Sequence, residues 1–426
     1  MSLNFKKILS TGFNSLLIRG FSVLISFALA WVLVRILGTE NYGIYTYAFS
    51  WLFFFGSLSP MGLSSVLVRE TGHYIKSGRL NYASGLIAFS QRVNFLVSLL
   101  LALIFAGVVF LFVPEEQSAL KTALLISSVG IPIFGQLFIS KSVLNAVKKI
   151  ELSLIPEQII RAVFALLILG GLWFFLDKKI ALNTTIWVNI AAFLFALLLS
   201  LWFVKKRLAN ILEQKKSYES KKWFALGFSF FMLSIISIIN TRADVLMLGL
   251  FGFTEQTGIY NISAKLAQTI GIPMMLSNVI LAPYISEFFK DEKKDLIRVI
   301  KHIIRIIFTL GAVLFTVFIL WGKDILSLFD ADFAIGYFSL LLLGGGQLLN
   351  IFTGPVGNIL SMTQFEKLTL QGTAGSALIN IGLNVWLIPI YDINGAAVAT
   401  FASLVFWNIY LFILTWRKLK INASVL

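Results

Sequence analysis

The sequence predicts an all-α integral membrane protein with twelve transmembrane helices in two six-helix lobes, related by a pseudo-twofold axis along the membrane normal. Three observations predict this fold class: an apolar composition, twelve apolar runs long enough to span a bilayer, and a motif that occurs twice. Hydrophobic residues make up 58% of the 426 residues, charged residues make up 13%, and the mean hydropathy is +0.88. An average soluble domain carries about 25% charged residues, so this composition is typical of a chain that folds in lipid.

Composition also excludes several classes of function. The formal net charge is +15, but a nucleic-acid-binding protein needs a basic soluble face, so nucleic acid is not an expected partner. The chain has no cysteine, and its two histidines, His73 and His302, lie far apart in the sequence. We therefore expect no disulfide, no metal site and no cofactor. Without a large outer loop or a cluster of carboxylates and histidines, we also expect a protein that is not an enzyme.

Twelve apolar runs have the length of about 20 residues at which a helix crosses a hydrocarbon core of roughly 30 Å. With both termini in the cytoplasm, five of the 35 Lys and Arg lie at the outer side, four lie within spans, and the remaining 26 lie inside. This asymmetry predicts the orientation. The predicted spans are 11–37, 42–68, 85–113, 119–144, 154–176, 182–204, 223–251, 256–288, 301–322, 333–361, 368–391 and 394–416.

The pattern T-E-x-x-G-I-Y occurs twice, and its two copies lie 215 residues apart in the chain of 426. Because this separation is close to half the chain, we interpret it as a duplicated membrane unit. Each half has an even number of spans, so both copies enter the membrane in the same orientation and flank a central cavity. The predicted parts are an N-terminal lobe at 1–204, a basic cytoplasmic linker at 205–222 and a C-terminal lobe at 223–426. The repeated residues are Thr39, Glu40, Gly43, Ile44 and Tyr45, then Thr254, Glu255, Gly258, Ile259 and Tyr260.

Among the basic residues within predicted spans, we single out four as candidates: Arg19, Arg161, Arg242 and Lys265. At the middle of a membrane helix each costs roughly 2.5 to 3.5 kcal/mol on insertion scales, so four facing lipid would cost about 12 kcal/mol. We interpret them as the lining of a cationic cavity that suits an anionic substrate, since the planar donor fork of arginine matches phosphate oxygens. The alternative for Arg19 and Lys265 is a structural hydrogen bond to a neighbouring helix.

Two acidic residues within spans leave further alternatives open. Glu157 lies four residues before Arg161, a spacing that places both on one helix face and allows them to neutralise each other. Asp244 follows Arg242 by two residues, which does not place them on one face, so the alternative for Arg242 is a salt bridge to another helix. Glu157 and Asp244 are also the candidates for coupling transport to H⁺ or Na⁺.

A local signature resembles a known family. The run from Leu37 to Tyr45, L-G-T-E-N-Y-G-I-Y, is followed by Gly62-Leu63 and by Val68-Arg69-Glu70. Together they resemble the polysaccharide flippase branch (O-antigen and exopolysaccharide) of the multidrug/oligosaccharidyl-lipid/polysaccharide flippase superfamily. We interpret the repeated motif as a marker of this fold and look for function among the basic residues within spans.

The resemblance implies a function in lipid-linked glycan transport. Such proteins move undecaprenyl-pyrophosphate-linked oligosaccharides from the inner to the outer leaflet of a bacterial plasma membrane, by alternating access around a cationic lumen. The implied partners are a lipid-linked anionic oligosaccharide and membrane lipids, with other polysaccharide-assembly proteins as candidates. The alternative is an ion-coupled multidrug or small-molecule antiporter of the same superfamily, which predicts a lumen dominated by acids.

Overall fold

The computed structural model describes residues 5–175, 180–288 and 293–426, and these form helices joined by short turns. Nine helices in these ranges are long and apolar enough to cross a membrane, which supports a multi-pass membrane protein. The count of twelve spans and the symmetry of the lobes stay predictions. The helices are α1 (Phe5–Leu58), α2 (Leu63–Lys76), α3 (Leu80–Phe112), α4 (Ser118–Ala146), α5 (Ile150–Ile155), α6 (Arg161–Phe175), α7 (Leu182–Leu212), α8 (Ser220–Leu250), α9 (Thr254–Phe288), α10 (Lys293–Ser327), α11 (Tyr337–Thr353), α12 (Val356–Met362) and α13 (Glu366–Leu419).

The two longest helices, α1 and α13, each contain 54 residues and one non-helical residue. At 1.5 Å per residue an unbroken helix of this length would extend about 81 Å, far more than the roughly 30 Å hydrocarbon core. Gly38 interrupts α1 with φ 71° and ψ 173°, and Asp392 interrupts α13 with φ 43° and ψ −124°. Both breaks fall between two predicted spans, as expected for a chain that crosses the membrane twice.

Proline and glycine shape three shorter junctions. Pro60 lies in the turn between α1 and α2, and Pro355 directly precedes α12. Pro156 begins a π-helical turn, Pro156–Ile160, that joins α5 to α6. Because proline has no N–H to donate, each of these positions is one where the regular hydrogen-bond pattern changes.

The chain divides into two compact units, Met1–Ile238 and Ile239–Leu426. The division falls inside α8 because the beginning of α8 packs in the N-terminal unit. Trp223 is fully buried there and donates a hydrogen bond from Nε1 to the Tyr74 hydroxyl at 3.0 Å. Gly62, with φ 75°, lies so close to the Gly227 carbonyl that no side chain would fit. The assignment of residues 205–222 as the boundary between lobes stays a prediction.

Candidate functional site

The N-terminal unit holds a charged site around Arg161 at the start of α6. The half-buried Arg161 donates from Nε to the Glu157 backbone carbonyl at 3.3 Å. Its guanidinium carbon lies 4.7 Å from the centre of the Phe193 ring, and buried Tyr45 is within electrostatic range. A cation over an aromatic ring gains about 0.5 to 2 kcal/mol, which helps to hold this charge among apolar helices. Among the described residues no other acceptor binds the guanidinium, which has five N–H donors.

The Glu157 carboxylate pairs with Lys141 rather than with Arg161. Lys141 Nζ lies 2.7 Å from Glu157 Oε2, and the two side chains are 22% and 23% exposed. Glu157 lies inside the π-helical turn and Arg161 directly follows it. This turn contains more residues per turn than an α-helix, which changes the geometry of a four-residue pair. The direct ion pair of the Glu157 carboxylate is therefore with Lys141, and Arg161 contacts Glu157 through its backbone carbonyl.

The C-terminal unit holds a carboxylate network centred on Asp244 of α8. Oδ1 of Asp244 accepts hydrogen bonds from the Nδ2 atoms of Asn380, at 3.0 Å, and Asn384, at 2.7 Å. Its Oδ2 accepts from the Tyr260 hydroxyl at 2.6 Å and from the Thr400 hydroxyl. The two carboxylate oxygens thus accept four hydrogen bonds, two each.

The same network is rich in oxygen atoms. Asn380 and Asn384 are buried, and Asn384 Oδ1 has no hydrogen-bond partner among the described residues. Rotation of the two amides would turn their oxygens toward Asp244, and together with the Tyr260 and Thr400 hydroxyls these are the oxygen ligands that hard cations prefer. One carboxylate carries one negative charge, so a monovalent ion leaves no net charge in the membrane interior. No group of three or more His, Asp or Glu suited to a metal ion occurs in the described ranges.

The other predicted cavity residues lie in both units. Arg19 is in α1 of the N-terminal unit, whereas Arg242 and Lys265 are in α8 and α9 of the C-terminal unit. All three are half-buried within apolar helices. The cationic cavity stays a prediction.

Sequence reasoning missed the tyrosines of the repeated motif as site residues. Tyr45 ends the first copy and lies near Arg161, and Tyr260 ends the second copy and donates to Asp244. The motif therefore supplies a neighbour to the charged residue of each unit. Asn380 and Asn384 were also missed, although a four-residue spacing of two amides in an apolar run is a detectable signal.

Comparison with known proteins shows a family. Residues 8–289, about two thirds of the chain, match the family described as "Polysaccharide biosynthesis protein". A relative from Haloferax volcanii, "Probable low-salt glycan biosynthesis flippase Agl15", is 26% identical over 185 residues. The match covers 41% of this chain and only 39% of that relative.

Solved structures of transporters share the fold. A multidrug resistance transporter of the MATE family, in its inward-facing conformation, gives a TM-score of 0.73 at 12% identity and covers 93% of this chain and 94% of its own. The lipid II flippase MurJ gives 0.70 at 19% identity, with 94% and 86% covered. A MOP superfamily transporter from Pyrococcus furiosus gives 0.66 at 13% identity, with 97% and 95% covered. Since the family match includes about two thirds of the chain, the chain belongs to the family described as "Polysaccharide biosynthesis protein", and it shares its fold with these solved structures.

Proposed function

We propose that this protein is a flippase for undecaprenyl-pyrophosphate-linked oligosaccharide, which it moves from the inner to the outer leaflet of the bacterial plasma membrane by alternating access through a cationic cavity. The observation that carries the proposal is the half-buried Arg161 guanidinium, whose nearest carboxylate, that of Glu157, is paired with Lys141. Two cations and one carboxylate leave a net charge of +1 in this group. A charge of this kind inside apolar helices favours the binding of an anion.

A sugar pyrophosphate linked to a lipid suits such a site. Its polar head cannot cross hydrocarbon unaided, whereas its tail stays in lipid, so the protein needs only a hydrated positive cavity for the head. Guanidinium groups bind phosphate oxygens through two parallel hydrogen bonds. An inside-negative potential also favours outward movement of the head, by about 2.3 kcal/mol per charge per 100 mV. Arg19, Arg242 and Lys265 complete the proposed lining.

We further propose that sodium binding at Asp244 drives the cycle. The carboxylate, two amides and two hydroxyls of the network supply only oxygen ligands once the amides turn. Glu157 is the weaker candidate, because an ion would have to displace Lys141 from its carboxylate. Protonation of Asp244 is the competing form of coupling, and stabilisation by sodium at constant pH distinguishes the two.

The test of the function is transport by the purified protein in vesicles. Lipid-linked oligosaccharide is placed in both leaflets, and the fraction reached by an impermeant glycosidase outside is followed with time. We expect wild type to expose the inner pool and Arg161→Ala to lose most of this activity, with Arg161→Lys intermediate because it keeps charge without the donor fork. Lack of oligosaccharide movement by wild type, together with export of cationic dyes, would establish the multidrug antiporter instead.

A further inference from the structure

We infer that polar side chains on one face of α13 form the route along which sodium exchanges between the Asp244 site and the membrane side where α13 begins. The inference rests on the sodium site proposed above and adds a pathway to it. Topology predicts that this side is the cytoplasm, because the beginning and the end of α13 both lie near predicted cytoplasmic segments.

The route begins with a stripe of polar residues along α13. Successive members are separated by four, three, four and four residues, so they share one helix face. Exposure falls along the stripe from two half-buried threonines to side chains that are 5%, 3% and 0% exposed. From its first member to Asn380 the distance is about 16 Å at 1.5 Å per residue. The stripe consists of Thr369, Thr373, Ser376, Asn380 and Asn384.

The second half of α13 supplies polar groups beside the stripe. Ser376 donates to the Ser403 carbonyl at 3.1 Å, and Asn380 donates to the Thr400 hydroxyl at 3.1 Å. A cation on this path therefore meets hydroxyl or carbonyl oxygen at successive levels. Rows of such oxygens can replace the hydration shell of an ion inside a membrane.

Thr373, one turn before the buried part of the stripe, is tied to two other segments by hydrogen bonds. Its hydroxyl accepts a hydrogen bond from Trp407 Nε1 at 3.2 Å, and its carbonyl accepts one from Asn240 Nδ2 at 3.2 Å. The Trp407 ring also packs on Gly357, where an added Cβ would lie 3.0 Å from it. Because Asn240 lies one turn before Asp244 on α8, this point is adjacent to the ion site. On the proposed route the Trp407 indole lies against Thr373, so it would have to move for sodium to pass.

The first experiment tests whether water reaches Thr373. The chain has no cysteine, so Thr373→Cys provides a single thiol for a charged, impermeant reagent applied to right-side-out or inside-out vesicles. Glu366→Cys, exposed at the start of α13, reports which side that helix end faces. Leu378→Cys, on the same helix at a side chain that is 73% exposed to the lipid region, is the matched control. We expect Thr373→Cys to react from the same side as Glu366→Cys, with no reaction at Leu378→Cys. No reaction at Thr373→Cys, or reaction only from the other side, overturns the route.

The second experiment measures release of radioactive sodium from the purified protein before and after Thr373→Cys is labelled. An obstruction in the path raises the barrier in both directions, so we expect about tenfold slower release with unchanged equilibrium affinity. Release at the unlabelled rate, or a fall in affinity, would mean that Thr373 has only a structural role. The two proposals fail separately. An unlabelled protein that binds no sodium refutes the ion site and the route with it, whereas sodium binding with unchanged release refutes the route alone.

Discussion

Replacement of Asp244 with asparagine removes one negative charge from the C-terminal network and tests the sodium site directly. An asparagine at 244 has one acceptor oxygen in place of two, so some of the four donors around it lose their partner. An unsatisfied buried donor costs about 1 to 3 kcal/mol, and the variant should therefore be less stable than wild type without sodium. The decisive quantity is the change in stability when sodium is added.

The magnitude follows from binding linkage. A ligand present at 100 times its Kd stabilises the folded state by about 2.7 kcal/mol. For 426 residues the unfolding entropy is about 0.9 kcal/mol/K, so sodium should raise the Tm of wild type by about 3 °C. The Asp244→Asn variant should show no such rise, because the amide offers no charge to the ion.

The assay is thermal unfolding in detergent, with sodium exchanged for potassium or choline at constant ionic strength. Asp324→Asn is the control, because it makes the same change at an exposed side chain of α10. A sodium-dependent rise that persists in Asp244→Asn would refute the site. If sodium does not raise the Tm of wild type and the Tm depends on pH instead, proton coupling is favoured.

Three further predictions concern the N-terminal unit. Lys141→Ala leaves the half-buried Glu157 carboxylate without its ion-pair partner, so we expect the variant to lose about 1 to 3 kcal/mol of stability. In a double-mutant cycle, adding Glu157→Gln to this variant should restore most of that stability, whereas additive losses would contradict the pairing. Phe193→Leu removes the ring that packs on the Arg161 guanidinium, so we expect a loss of oligosaccharide transport in vesicles with little change in Tm. Transport by the variant at the wild-type rate would argue against a role for the ring. Hydrogen bonds from Tyr74 and Lys222 lower the pKa of Glu219, so its stabilising contribution is present above the ordinary pKa of about 4.3 and is lost as pH falls through the lower folded value. In Glu219→Gln the Tm should therefore decrease less than in wild type as the pH falls into the acid range. The same decrease of Tm with pH in both proteins would contradict this role of Glu219.

The repeated motif shows how a fold marker and a functional group coincide. Its two copies identify a duplicated sequence, and the final tyrosine of each copy is buried next to the charged residue of its unit. The partners differ, since Tyr45 lies near a cation and Tyr260 donates to an anion. The two copies of the motif therefore place a tyrosine beside charges of opposite sign.

The sequence by itself determined the membrane class and the charged residues that had to be accounted for, whereas the breaks inside predicted spans 42–68 and 333–361 appear only in the structure. Apolar run length and the cost of charge in lipid act along a single chain, so the membrane class and these charged residues can be predicted from composition and spacing. The breaks at Gly38 and Asp392 fall between predicted spans for the same reason.

Only the tertiary structure decided which charges are neutralised and which are not. Glu157 lies in the π-helical turn that precedes Arg161, and Lys141 reaches the Glu157 carboxylate from α4. Asp244 similarly gathers Asn380, Asn384 and Thr400 from positions more than 130 residues away. Local spacing specifies which residues share a helix face, whereas the partner of a buried charge depends on how helices distant in sequence pack against that face.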